Sequence, residues 1–201
     1  MHYLLLIISI TITLTYNLVR NTFSKHYAKN GRDFQLFNLA CSAISAFTVL
    51  LVAFFTRAAL PSWYTLLLGV VFGIITALSA LFNMRALERG PASYTTLIVT
   101  SSMMIPALSG WLLFDETVSI VKLVGMALMI VSVLMSVTST PNERSASVSW
   151  LVMCLLAMLF TGLVGILQKI HQSSSHSNEL MYFLAVAFIV STIYSGTALL
   201  I

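Results

Sequence analysis

The chain has 201 residues, of which 59% are hydrophobic and 8% charged, with a mean hydropathy of +0.97 and a formal net charge of +4. Soluble domains run at about 25% charged and about 45–50% apolar, so this composition excludes a water-soluble domain and specifies an integral membrane protein in contact with bilayer lipid. The basic excess sits in short polar loops and forms no run interleaved with exposed aromatics. It orients a membrane protein and excludes a nucleic-acid partner.

A helix needs roughly 20 apolar residues to cross the hydrocarbon core. Seven segments meet this in chain order: 3–19, 34–56, 64–86, 92–114, 118–139, 148–170 and 180–201. None shows the period-2 alternation of a membrane β-barrel, so the expected fold class is all-α with about seven transmembrane helices. The first span lacks a basic leader and a small-residue cleavage site, which makes it a retained helix rather than a signal peptide. Tyr16 and Asn17 close it. An asparagine this near hydrocarbon needs a partner, and a wet cavity or the interface supplies one.

The second span carries Cys41 and the sixth Cys154; both lie in apolar runs and read as small buried hydrophobes rather than a disulfide. In the third span Gly69, Gly73 and Ala77 form a small-residue stripe of the kind that lets two helices approach closely, and Asn83 lies near its end. The fourth span reads GPASYTTLIVTSSMMIPALSGWLLFDE from Gly90 to Glu116. Tyr94 stands near its start. Pro106 removes a backbone hydrogen bond and frees a carbonyl near Ser102, which only neighbouring hydroxyls or water in a protein-lined cavity can satisfy. Thr100, Ser101 and Ser102 are candidate hydroxyls, although successive residues lie about 100° apart on a helix and cannot all face one cavity. Lys122, one turn into the fifth span, snorkels or pairs with an acid. Gln168 ends the sixth span. His171 and His176 share a serine-rich loop with Glu179, but a metal centre would want a helical i, i+4 pair or a third convergent ligand.

The string Ala107-Leu108-Ser109-Gly110 would suit an intramembrane protease only with a histidine at hydrogen-bond distance, and all four histidines read as loop or terminal residues. No catalytic residue, cofactor or metal is assigned. The acids Asp33, Glu88, Asp115, Glu116, Glu143 and Glu179 fall at or beyond span ends, which leaves no embedded carboxylate for proton coupling. The loop charges Arg20, Lys25, Lys29, Arg32, Arg85, Arg89 and Arg144 place the odd loops in the cytoplasm and the N-terminus outside.

An internal repeat is also visible. YLLLIISITITLTYNLVRN and WLVMCLLAMLFTGLVGILQK are each an aromatic-led span closing on a polar or basic tail, and DFQLFNLACSAIS matches ELMYFLAVAFIVS in apolar pattern and final serine. The repeat divides the chain into a five-span unit, 1–145, and a partial second unit, 146–201. An odd number of spans per unit inverts the second against the first, the plan of many secondary transporters. By that analogy the second unit stops roughly three helices short, and the chain reads as truncated at its C-terminus.

RALERGPASYTTLI, then Pro106, then SGWLLFDETVSIVKLVGMALMIVSVLMS resemble the fourth and fifth spans of an EamA-type drug/metabolite transporter. The matching elements are Ala86-Leu87, Pro106, Leu113-Phe114-Asp115-Glu116, Gly125 and Leu128. The chain departs from the pattern at Asp115 and Ser132, where glycines are usual. The resemblance implies about ten spans in two EamA units, a central substrate cavity and a cytoplasmic N-terminus, the reverse of the charge tally. It implies a secondary transporter of a small metabolite or drug-like solute, an exporter in the bacterial plasma membrane. The related small multidrug resistance proteins carry a first-span glutamate that is absent here, so their proton/drug exchange is not carried over. The expected solute contacts are Tyr16, Asn17, Asn83, Tyr94, Ser101, Ser102, Pro106 and Gln168. The competing expectations are a non-transporting or inactive shortened subunit and, less favoured, an intramembrane enzyme. A homo-dimer has no support in the sequence.

Overall fold

The computed structural model describes residues 31–57, 60–117, 119–138 and 147–200, together with isolated positions between 7 and 23. Within them the chain is helical and contains no strand. The helices are α1 (Gly31–Phe55), α2 (Trp63–Arg89), α3 (Ala92–Thr100), α4 (Met104–Phe114), α5 (Ile120–Thr138), α6 (Val148–Ser173) and α7 (Leu180–Leu200). Among the described residues five segments are long and apolar enough to cross a membrane: Gln35–Phe55, Trp63–Arg89, Ala92–Phe114, Val148–Ser173 and Ser177–Leu200. The expected fifth span appears as α5, whose apolar part, Ile120–Val133, is shorter. The first, 3–19, lies mostly outside the described residues.

Local chemistry sets the helix boundaries. Ser62 caps α2 by accepting the Thr65 N–H at 3.3 Å, and Ser147 caps α6 by accepting that of Trp150 at 3.2 Å, each satisfying a donor that the first turn leaves orphaned. Gly90 ends α2 with its N–H on the Ala86 carbonyl, and Pro91, which has no N–H to offer, opens α3. The fourth span, Ala92–Phe114, runs through but tightens part-way along. A single 3₁₀ turn, Ser101–Met103, separates α3 from α4, and the Met104 N–H donates to the Ser101 carbonyl three residues back. The turn lies just ahead of Pro106, where the missing N–H and the ring's bulk disfavour α-helical bonding.

Lipid offers no hydrophobic drive for helices to associate, so small residues and polar pairs must do it. α1 packs on α7, α2 on both α6 and α7, and α3 and α4 on α6. A Cβ on Gly73 would lie 2.7 Å from Val190 Cβ and 2.8 Å from the Ala187 carbonyl, and one on Gly69 would lie 3.1 Å from Val186 Cβ. The small-residue stripe is thus the close contact between α2 and α7, and buried Ala77 continues it. Across α1 and α7 the Asn38 amide donates to Ser195 Oγ at 2.7 Å and Thr192 to Ser42 Oγ at 3.0 Å; between α2 and α6 the hydroxyls of Ser79 and Thr161 are 2.7 Å apart. At about 0.6 kcal/mol each, such bonds select the register of neighbours rather than dominate stability. Phe47, Phe54, Leu67, Leu112 and Val121 remain exposed on the outer faces, where lipid is their solvent.

Candidate functional site

Five helical segments leave a cavity of about 690 Å³ between them. α1 contributes Phe37, Asn38, Cys41, Ser42 and Ser45, and α2 contributes Thr76, Ser79, Ala80, Asn83 and Leu87. The fourth span adds Thr96, Val99, Thr100, Ser102, Met103 and Pro106. α6 adds Thr161, Val164 and Gly165, and α7 adds Phe188 and Ser191. The contributions of α6 and α7 lie near the middle of their helices, so the cavity sits well within the spanning layer.

The turn in the fourth span shapes one wall. Gly162 and Gly165 on α6 leave a slot without side chains, and Ile105 and Pro106 fill it: a Cβ on Gly162 would come within 2.6 Å of Ile105 Cβ. This seating fixes the proline-bearing segment against α6 and turns Ser102 and Met103 toward the cavity. Above it the first half of the span is anchored by Trp150, which is 1% exposed. Its indole N–H donates to Thr95 Oγ1 at 2.9 Å, and Thr95 in turn donates to the Pro91 carbonyl at 3.1 Å. Ala86, Ile98 and Cys154 complete that dry cluster.

Among the described residues, the lining holds hydroxyls, two carboxamides, aromatic rings and one thiol, and no charged side chain. Several hydroxyls already have partners. Thr76 donates to the Phe72 carbonyl, Thr96 to Ala92 and Thr100 to Leu97. Asn83, by contrast, has no hydrogen-bond partner among the described residues, so its amide is available to an occupant of the cavity. The charges lie at the span's end. Glu116 pairs with Lys169 at 2.7 Å, and Lys169 Nζ is 5.2 Å from the centre of the Phe114 ring. The hydrogen bond from Lys169 holds the Glu116 carboxyl below the usual carboxylate range, and Lys122 adds a weaker attraction. Lys169 of α6, rather than Lys122, is therefore the cation in contact with this acid.

Of the expected contacts, Asn83, Ser102 and Pro106 come together in the lining. Tyr94 instead packs against the Trp150 cluster. Ser101 is buried with its hydroxyl on the Leu97 carbonyl at 2.9 Å, a bond the 100° offset from Ser102 allows. Gln168 stands three positions beyond Gly165 on α6 and is not in the lining. Tyr16 and Asn17 lie outside the described residues. Cys154 is buried, but Cys41 faces the cavity, unlike the shared reading of the two cysteines. Ser109 donates to the Pro106 carbonyl at 2.9 Å, the ordinary bond of a helical serine. His171 is no loop residue: α6 continues through Ser173, because Ser174 returns both its N–H and its hydroxyl to the His171 carbonyl.

Sequence reading missed Asn38, Ser42, Ser45, Thr76, Ser79, Thr161 and Ser191. The signal was present as polar residues at helical spacing, 38-42-45 on α1 and 76-79-83 on α2. Single residues near span ends drew attention away from these mid-span stripes.

No curated protein and no solved structure matches the chain. The EamA-like transporter family matches it over residues 2–138, more than half its length. A helical chain with several membrane-crossing segments, a proline-bearing fourth span and a match of that extent belongs to the EamA-like transporter family.

Proposed function

We propose that this chain is a secondary transporter of a small solute, that the cavity between α1, α2, α3–α4, α6 and α7 is where the solute binds, and that the protein works as an exporter in the bacterial plasma membrane. The observation that carries the reading is the lining itself: hydroxyls and carboxamides deep in the spanning layer, beside a helix that tightens into a 3₁₀ turn at Ser101–Met103. Irregular backbone and polar groups persist at that depth where they face a cavity rather than lipid. Among the described residues the lining carries no charge, which favours an uncharged, hydrogen-bonding solute with an apolar face for Phe37 and Phe188, because a buried ion would lack a counter-charge there. Asn83, Ser102 and Pro106 are the proposed contacts from the sequence reading, joined by Asn38, Ser42 and Ser191. Tyr94, Ser101 and Gln168 act at one remove, by holding the helices that form the wall.

The same reading divides the chain into a five-span unit over 1–145 and a second unit beginning at 146. The family match, which ends at 138 ahead of α6, supports that division. In this division α1 and α7, which pack together, would be the second spans of the two units.

The test is transport by the purified protein in liposomes, with a panel of labelled uncharged solutes and their charged analogues, loaded inside or outside. Saturable movement of at least one uncharged solute, weakened by Asn83→Leu, is the expected result. Movement no faster than through protein-free liposomes, for every solute and both gradients, would sink the transport reading.

A further inference from the structure

One polar cluster lies outside the cavity, where α6 ends and α2 and α7 begin. His171 in the last turn of α6 is completely buried, and Glu179, just ahead of α7, is 9% exposed. They are joined through the start of α2. Glu179 Oε2 accepts the Ser62 N–H at 2.7 Å and the Ser62 hydroxyl at 2.8 Å, and Ser62 Oγ caps Thr65. Thr65 Oγ1, itself fully buried, lies 3.3 Å from His171 Nε2. The imidazole stacks on Phe183 of α7, with ring centres 4.3 Å apart and planes 16° from parallel. Its other nitrogen, Nδ1, is buried with no hydrogen-bond partner among the described residues.

We propose that His171 is a proton-binding site, and that proton occupancy at Nδ1 sets whether the ends of α2, α6 and α7 stay locked together. With Nε2–H directed at Thr65 Oγ1, Nδ1 presents a bare lone pair and is the atom that takes the proton. The product is an imidazolium enclosed by Phe183 and Thr65. A buried cation needs a counter-charge or water. Among the described residues the titratable groups around it are Glu179 and His176, both from the turn between α6 and α7; the ring of Tyr64 of α2 lies tilted by 33° against that of His176, with centres 5.3 Å apart. From α2 the imidazole meets the Thr65 hydroxyl and from α7 the Phe183 ring, and neither carries charge. Lys169, two positions earlier on α6, is engaged with Glu116. Among the described residues Glu179 is thus the carboxylate at hand, and it reaches the imidazolium by giving up Ser62. That exchange removes the tie between the start of α2 and the start of α7, while loss of the proton restores it. Both helices line the cavity, so the proton and the solute act on the same pair of elements. The link to solute movement rests on the transport reading; the proton site does not.

The test is hydrogen–deuterium exchange of the whole protein in phosphatidylcholine nanodiscs, without solute, between about pH 4 and about pH 8, a window that covers an imidazole in a buried site, with rates corrected for intrinsic chemical exchange. Expected is a several-fold acceleration at the acid end in peptides covering 60–68 and 174–183, with no change around Trp150. The step should vanish in His171→Phe, which keeps the stack, and in His171→Gln, which keeps a donor toward Thr65 but does not titrate in this range. It should survive in His176→Gln. A flat profile in the unmodified protein, a step that persists in both His171 variants, or a step abolished by His176→Gln would overturn the proposal. Because no solute is present, any of these leaves the transport reading standing, and that reading fails instead by the absence of solute movement in liposomes.

Discussion

The ring of Pro106 occupies the space that a side chain at Gly165 would need: a Cβ there would lie 2.8 Å from the proline Cγ and 3.0 Å from its Cβ. A pyrrolidine ring has no rotamer to yield, so the contact fixes both the depth and the angle at which the fourth span meets α6. Gly165→Ala gains about 1 kcal/mol of helix propensity and loses more to overpacking, typically about 1–3 kcal/mol. The expected outcome is a lower midpoint in thermal unfolding of the detergent-solubilised protein, larger for Gly165→Leu. Gly196→Ala serves as the contrast, because its Cβ would meet only the flexible tip of Leu39 at 3.4 Å, and there the midpoint stays level or rises.

Thr95→Val strands the indole N–H of Trp150 in a pocket that excludes water. An orphaned buried donor costs about 1–3 kcal/mol, so denaturant unfolding should show a loss of that size. Trp150→Phe removes the donor as well as packing area. The double variant should lose less than the two single losses added together, because partners in one hydrogen bond couple. Full additivity would show that the indole and Thr95 do not depend on each other.

Asn83 and Ser79 separate binding from stability. The Asn83 side chain has no hydrogen bond to lose among the described residues, so Asn83→Leu should leave stability nearly unchanged, within about 0.5 kcal/mol, while solute binding or uptake falls. Ser79→Ala breaks the bond to Thr161 and should lower stability by about 0.6 kcal/mol. Equal loss of stability in both variants would assign Asn83 a structural rather than a binding role.

The Glu116–Lys169 pair predicts a pH dependence whose sign is fixed. The folded carboxyl is held below its ordinary range by Lys169, so the pair's contribution is complete above the ordinary carboxylate range. It is lost as pH falls through the lowered value. Glu116→Gln should therefore unfold at a lower temperature than the unmodified protein at neutral pH, and the two should converge in acid. High salt should narrow the gap at neutral pH, as befits a pair open to solvent.

The helical class and five of the seven expected spans were legible because length and apolarity decide what crosses a bilayer, and neither depends on tertiary detail. Boundaries moved by a few residues where side-chain caps operate: α6 runs past His171 because Ser174 closes it, a bond that hydropathy does not register. The site was legible in part. Pro106 and Ser102 were marked by their misfit with a continuous helix, and Asn83 by its amide near hydrocarbon. Gly162 and Gly165 were not marked, because a glycine's meaning lies in what its missing side chain admits, here Ile105 and Pro106 from another helix. The serines of α1 and α7 escaped for a related reason. A single hydroxyl satisfies itself on its own backbone, and only assembly shows which ones face their neighbours.

Asp115 stands at φ 49°, in the left-handed region that glycine favours, at the position where the family resemblance leads one to expect glycine. The backbone keeps the glycine-type turn although the residue has changed, at a strain of roughly 1 kcal/mol. That turn brings the Glu116 N–H onto the Gly110 carbonyl at 3.1 Å, and Gly110, having no side chain, leaves room for both Lys169 and Glu116. The end of α4 is therefore shut twice, once by charge and once by backbone geometry. Acid undoes only the first closure, so the extramembrane corner of this helix should keep its shape in conditions that discharge its ion pair.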